Sequence, residues 1–161
     1  MIRCNNPRLI VPNQKTYIMN RILIIALIVI SNITTAQEPE VRMAIDEFFA
    51  AFHARDTVKL RAVISEKAIL HSVSEKESGV SLVEEKISKF LQSIASIPKS
   101  MKFEEQLLSY EIKTDGSMAH VWTPYVFYIN GKRSHSGVNS FQLYRENGKW
   151  KITYLIDTRR K

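Results

Sequence analysis

Apolar residues recur along the chain in two successive rhythms. From Val41 the spacing is three and four residues, so that Val41, Ala44, Ile45, Phe48, Phe49 and Phe52 share one face of a helix. Pro39 suits the first turn of that helix. Asp56 is placed to cap a second, short helix with Val58, Ala62 and Val63 as its apolar positions. Ala68–Val73 reads as a strand. Ser81-Leu-Val-Glu84 has the form of a capping box, and Leu82, Val83, Ile87, Phe90, Leu91 and Ile94 make the stripe of a third helix that Pro98 ends. From Met101 the rhythm changes to alternation, broken at Asp115-Gly116, Asn130-Gly131 and Asn147-Gly148. These pairs tolerate positive φ and divide the segment into four antiparallel strands at about 102–113, 117–129, 132–146 and 149–158. Strands of this length must coil or bend.

The turns also predict which side chains share a face. A two-residue loop at Asn130-Gly131 sets residue 129 opposite 132 and, continued without interruption, Pro124 opposite Gly137. One lacks a ladder donor and the other a side chain, which predicts a crease in the sheet, with a bulge. A two-residue loop at Asn147-Gly148 extends the count to the last strand. Met118, His120 and Trp122 then join Asn139, Phe141 and Leu143, and Trp150, Ile152, Tyr154 and Ile156, on the buried side. Ser140, Gln142, Lys151, Thr153 and Asp157 fall on the other side. A three-residue loop at 114–116 points Leu108, Tyr110 and Ile112 inward. A bulge at the crease would shift His135, so its side stays open.

Upstream of the helices, Arg21 precedes a nine-residue apolar run, Ile22–Ile30, and Thr34-Thr35-Ala36 supplies small residues before Gln37. This is the form of a cleaved secretory leader at 19–36, with 1–18 an upstream extension and 37–161 one domain. The apolar run is too short for a membrane span, which needs ~20 residues. The expected product is exported, periplasmic or extracellular, with no membrane attachment after leader removal. Four of the 23 Lys and Arg residues precede Gln37, whereas all 16 Asp and Glu follow it, so the remainder carries 19 basic against 16 acidic residues. The excess of +7 falls to +3, and the only basic cluster is Arg159-Arg160-Lys161. That is no footprint for nucleic acid. The one cysteine, Cys4, lies in the leader region, so the domain relies on burial rather than disulfides.

The order helix, short helix, strand, helix, then a long four-stranded sheet resembles the nuclear transport factor 2-like superfamily, which includes SnoaL-like cyclases, ketosteroid isomerase and scytalone dehydratase. The residues that carry the resemblance are Ile45–Asp56, a helix ending in Asp, and Phe141–Asp157, with its Gly-Lys-Trp-Lys-Ile final strand. The resemblance covers about residues 40–159. It implies an α+β fold with helices packed in the concave face of a strongly curved antiparallel sheet, a cystatin-like cone or α+β barrel with a pocket at its open end. It also implies homodimerisation through the outer face of the sheet. In ketosteroid isomerase the base is an aspartate on the first strand; the matching stretch, Ala68–Val73, offers His71 or Ser72 and no carboxylate, which argues against that reaction.

On the counted faces, Tyr110, His120, Asn139 and Tyr154 point polar tips into a chamber walled by Trp122 and Phe141. Apolar walls with a few orienting polar atoms suit a small apolar or aromatic ligand. His71 and His120 are the candidate general bases, since imidazole titrates near neutrality. The four histidines lack metal-ligand spacing, and there is neither a phosphate loop nor a nucleophile elbow. No metal or cofactor is expected. The sequence thus supports an exported small-molecule-binding domain first. A lyase or isomerase using a pocket histidine, and a structural dimerisation module with a filled cone, are the alternatives.

Overall fold

A computed structural model describes residues 37–161. The expected extension at 1–18 and leader at 19–36 lie outside the described residues. The first helix, α1, occupies 37–54 and buries Val41, Ala44, Ile45, Phe48, Phe49 and Ala51. It ends where Arg55 adopts φ +58°, a left-handed cap that bends the chain. Asp56 then caps α2, Thr57–Val63, its carboxylate accepting the Lys59 amide at 2.9 Å. The chain continues through β1 (Ile64–Lys76), β2 (Gly79–Glu85), α3 (Ile87–Ala95), β3 (Phe103–Leu107), β4 (Glu111–Asp115), β5 (Met118–Ile129), β6 (Lys132–Glu146) and β7 (Lys149–Arg159).

The strands form one sheet in the order β2-β1-β7-β6-β5-β3, with β4 also paired to β5. This is the expected α+β class, but the sheet is mixed, because β1 runs parallel to β7. Residues 79–85 are strand rather than the start of a helix. Gly79, at φ +124°, turns the chain back on β1, and β2 pairs with it from Lys76↔Gly79 to Leu70↔Glu85. The main-chain hydrogen bonds offered by the edge of β1 outweigh a local capping box. Val80, Leu82 and Val83 are exposed as a result, and the helical stripe begins only at Ile87.

Two extra residues reset the faces of the long strands. The β5–β6 hairpin starts in the expected register, Ile129↔Lys132, but Ser134 is a bulge, and beyond it Phe127 faces His135 and Tyr125 faces Gly137. Pro124 therefore lies opposite Val138. This one-residue slip turns β5 over. Ala119, Val121, Thr123 and Tyr125 point inward and are buried, while His120 and Trp122 lie on the outer face. The same happens on β7. Its hairpin holds the expected register through Leu143↔Ile152, and Thr153 is then extra, so that Gln142 faces Tyr154 and Asn139 faces Asp157. Trp150 and Ile152 are buried as expected; after the bulge Asp157 is buried instead of Tyr154 and Ile156. The β4–β5 turn carries Asp115↔Met118, and the chain breaks between β3 and β4, leaving Leu108 exposed while Leu107, Tyr110 and Ile112 pack on the core.

Gly137 is the site of a close approach of main chains, and no proline opposes it, since its partner is Tyr125. A Cβ built there would lie 1.7 Å from the Thr158 carbonyl oxygen and 3.0 Å from the Tyr125 ring. Only a glycine lets β6 and the end of β7 converge, and Ser136 and Arg160 exchange main-chain hydrogen bonds of 2.9 and 2.8 Å beside it. Gly137→Ala should therefore destabilise the fold by roughly 1–3 kcal/mol, the usual cost of overpacking. Urea unfolding would register this as a lower midpoint with unchanged slope; an unchanged midpoint would refute the close approach.

Candidate functional site

The aromatic face of α1 closes one side of a cavity of about 280 Å³. Phe90 of α3 stacks on Phe48 and Phe52 at centroid distances of 6.4 and 6.3 Å, and Phe49 makes edge contacts with both of those α1 rings. Phe141, beneath them, makes edge contacts with Phe48 and Phe49. Ile94, Ile97 and Leu155 complete the apolar lining. The rings give this wall both burial and a definite shape.

Polar side chains from the sheet also line the cavity, and the strand register explains why. Phe103, Glu105 and Leu107 alternate inward along β3, which brings a glutamate into an otherwise apolar row. The Glu105 amide donates to His53 Nε2 at 2.9 Å, tying β3 to α1. His53 accepts this bond with a deprotonated nitrogen, and burial holds its pKa below the usual imidazole value. The Glu105 carboxylate takes one bond, from Asn139 Nδ2 to Oε1 at 2.7 Å. Its other oxygen has no partner among the described residues and is not sealed off from the cavity. Burial raises the Glu105 pKa to about 7, with the neighbouring Asp157 adding to the rise and the Asn139 bond opposing it.

Asp157 is far better satisfied. Its carboxylate accepts from Arg159 Nε at 2.8 Å, from the Tyr125 hydroxyl at 3.3 Å and from the Ser72 hydroxyl. Tyr125 also donates to the Thr158 carbonyl at 2.9 Å. Arg159 is half-exposed and stands at the mouth of the cavity with His135. His135 stacks on Phe127 with ring centroids 4.9 Å apart. Burial, with Arg159 nearby, pushes its pKa below the ordinary value. The Ser134 bulge thus directs His135 to the cavity, the question left open by the sequence.

Of the residues expected to line the chamber, Asn139 does so, and Phe141 lies directly under its floor. The others are elsewhere. His120 is on the outer face with Nε2 3.1 Å from Ser140 Oγ, and Trp122 is 41 % exposed beside it. Tyr154 is turned out by the Thr153 bulge and bonds His71 Nδ1 at 2.9 Å; the other His71 nitrogen is 3.5 Å from Glu84. Neither His71 nor His120 lines the cavity. Tyr110 packs beside α1 and donates to Asp46, under the Arg42 guanidinium. Glu105, Asp157, Tyr125, Arg159 and the phenylalanine wall are the residues that sequence reasoning missed. The Phe-x-Glu-x-Leu alternation at 103–107 was the available signal for Glu105. Among the described residues no group of three His, Cys, Asp or Glu could hold a metal ion, and no helix is long and apolar enough to cross a membrane.

No family model and no curated protein matches the chain. Solved structures resemble it at low identity. An NTF2-like protein from Cytophaga hutchinsonii has a TM-score of 0.62 at 12 % identity, over 77 % of this chain and 98 % of that one. A domain of unknown function with a cystatin-like fold from Nostoc punctiforme has a TM-score of 0.59 at 18 % identity, over 80 % of each chain. An NTF2-like protein of unknown function from Shewanella baltica has a TM-score of 0.60 at 14 % identity, over 79 % of this chain and 96 % of that one. At these identities the likeness establishes the fold alone: the chain has the NTF2-like, cystatin-like α+β fold that its element order resembles.

Proposed function

We propose that this chain binds a small, mostly apolar molecule inside the cone, with its body against the phenylalanines and its polar end against Glu105 and Asn139. The observation that carries this reading is the incompletely partnered Glu105 carboxyl facing an aromatic wall. Buried polar groups are ordinarily satisfied within the fold, so one left open to a cavity calls for a ligand or water. A cavity of about 280 Å³ is near the lower end of the usual ~300–1,000 Å³ range, which favours a compact ligand over a filled structural cone. Export and dimerisation belong to the same proposal only as its setting. Acid–base catalysis is the second reading, with Glu105 replacing His71 and His120 in the role. A carboxyl titrating near neutrality within a cavity is suited to proton transfer at physiological pH.

Indole is a suitable neutral aromatic probe. Near its Kd it should raise the Tm by about 2 °C, and Ile97→Trp, which fills the cavity, should abolish the shift. Equal shifts in both proteins would refute binding at this site. Glu105 also predicts a pH dependence of stability. Its folded pKa, about 7, lies above the unfolded value of 4.5. The stabilising contribution is thus complete below pH 4.5 and disappears as pH rises through 7. His53 and His135, with lowered pKa values, tilt stability the opposite way below their ordinary 6.5, so the wild type must be compared with Glu105→Gln. From pH 5 to pH 8 the wild type should lose roughly 2–3 kcal/mol relative to that variant in urea unfolding. A constant difference would contradict the perturbed carboxyl.

A further inference from the structure

The charge inside the cavity is unbalanced. Glu85, Glu105 and Asp157 contribute three carboxyl groups to its lining and Arg159 the single guanidinium, while His135 is held toward its neutral form. Arg159 is committed through Nε to Asp157, whose oxygens are also taken by Tyr125 and Ser72. That pair is closed. Glu105 is different: it is mostly buried, lines the cavity and accepts one amide hydrogen bond at Oε1, while Oε2 has no partner among the described residues. Among the described residues no lysine or arginine side chain bonds to it. Phe48, Phe52 and Phe90 line the same cavity, stacked on one another. An alkylammonium is attracted by ring quadrupoles as well as by a carboxylate, and both attractions strengthen away from water.

We infer that the ligand is an amine, an apolar or aromatic body carrying one protonated nitrogen that pairs with the free oxygen of Glu105. This rests on the binding reading given above and names its ligand class. An anionic ligand would place its charge beside Glu85 and Asp157 as well as Glu105 and meets only a guanidinium already paired at the mouth. A neutral ligand leaves the ionised carboxylate without a counter-charge. The aromatic wall and the open carboxylate oxygen together suit a cation with an apolar tail.

Proton accounting provides a signature independent of affinity. At pH 7 about half of the Glu105 groups carry a proton in the empty protein. An entering ammonium stabilises the carboxylate, so the remaining protons pass to the buffer while the amine retains its own. Binding should release about half a proton per ligand at this pH, with no covalent bond made or broken.

The test compares three probes of similar shape: 2-phenylethylamine (cationic), 2-phenylethanol (neutral) and 3-phenylpropanoate (anionic). Each is titrated calorimetrically into the purified protein at pH 7 in two buffers of different ionisation enthalpy. The amine should bind at least about tenfold more tightly than either analogue, and its enthalpy should differ between buffers by the released fraction of a proton. In Glu105→Gln, checked for a cooperative thermal transition, the amine's preference over the alcohol should fall to about twofold or less. Tighter binding of the alcohol or the propanoate leaves the binding reading standing and overturns the amine. Retention of the amine preference in Glu105→Gln, or a buffer-independent enthalpy, also overturns it. Silence from all three probes overturns the binding reading and the inference together.

Discussion

A single added residue in each of two strands decides what faces the interior of this cone. Side chains alternate with a period of two, so one bulge exchanges the two faces of everything beyond it. Ser134 on β6 sets β5 so that Ala119, Val121, Thr123 and Tyr125 point inward, and Thr153 on β7 brings Leu155 and Asp157 into the cavity lining. Without these two residues, His120, Trp122 and Tyr154 would line an apolar chamber. With them, those side chains lie outside, and the interior instead receives an acidic group tied to Arg159. The closure at Gly137, where main chain meets main chain, then brings the end of β7 against β6.

The same geometry explains why the two interior carboxyls behave differently. Asp157 lies beside the Gly137 closure, where Tyr125, Ser72 and Arg159 converge on it, and burial is offset by charge-assisted hydrogen bonds. Glu105 lies on β3, at the edge of the sheet, with the Asn139 amide as its side-chain partner among the described residues. Desolvation outweighs the Asn139 bond and the nearby charge of Arg159, and favours the neutral acid. Two of the carboxyls lining the cavity thereby acquire separate roles: Asp157 holds the fold closed, and Glu105 remains available to whatever enters.

Much of the scaffold was legible in the sequence because it depends on local chemistry. The stripe Val41 to Phe52, the Asp56 cap and the turns at Asn130-Gly131 and Asn147-Gly148 all occur where periodicity and positive-φ tolerance place them. The β2 strand was not legible, since Ser81 to Glu84 satisfies a helix-start pattern and only the non-local edge of β1 draws it into the sheet. The site was harder still. Register counted from a turn is reliable up to the first bulge, and neither Ser134 nor Thr153 carries a local signal that a residue has been added. Asn139 and Phe141 were placed correctly on β6, the strand that both counts had in common. His120, Trp122 and Tyr154 were carried to the wrong face by the bulges, and Glu105 was passed over because the break between β3 and β4 interrupts its alternation.

The central claim is that Glu105 is a buried carboxyl with unfilled hydrogen-bonding capacity, held at the protonation boundary by the cavity around it. Carbon-13 NMR of the side-chain carboxyl carbon, assigned by its absence in Glu105→Gln and followed from pH 3 to pH 9, measures this directly. A titration midpoint near 7 is the predicted result. A midpoint at the ordinary glutamate value of 4.5 would mean that Glu105 is solvated or fully paired, and would contradict the account.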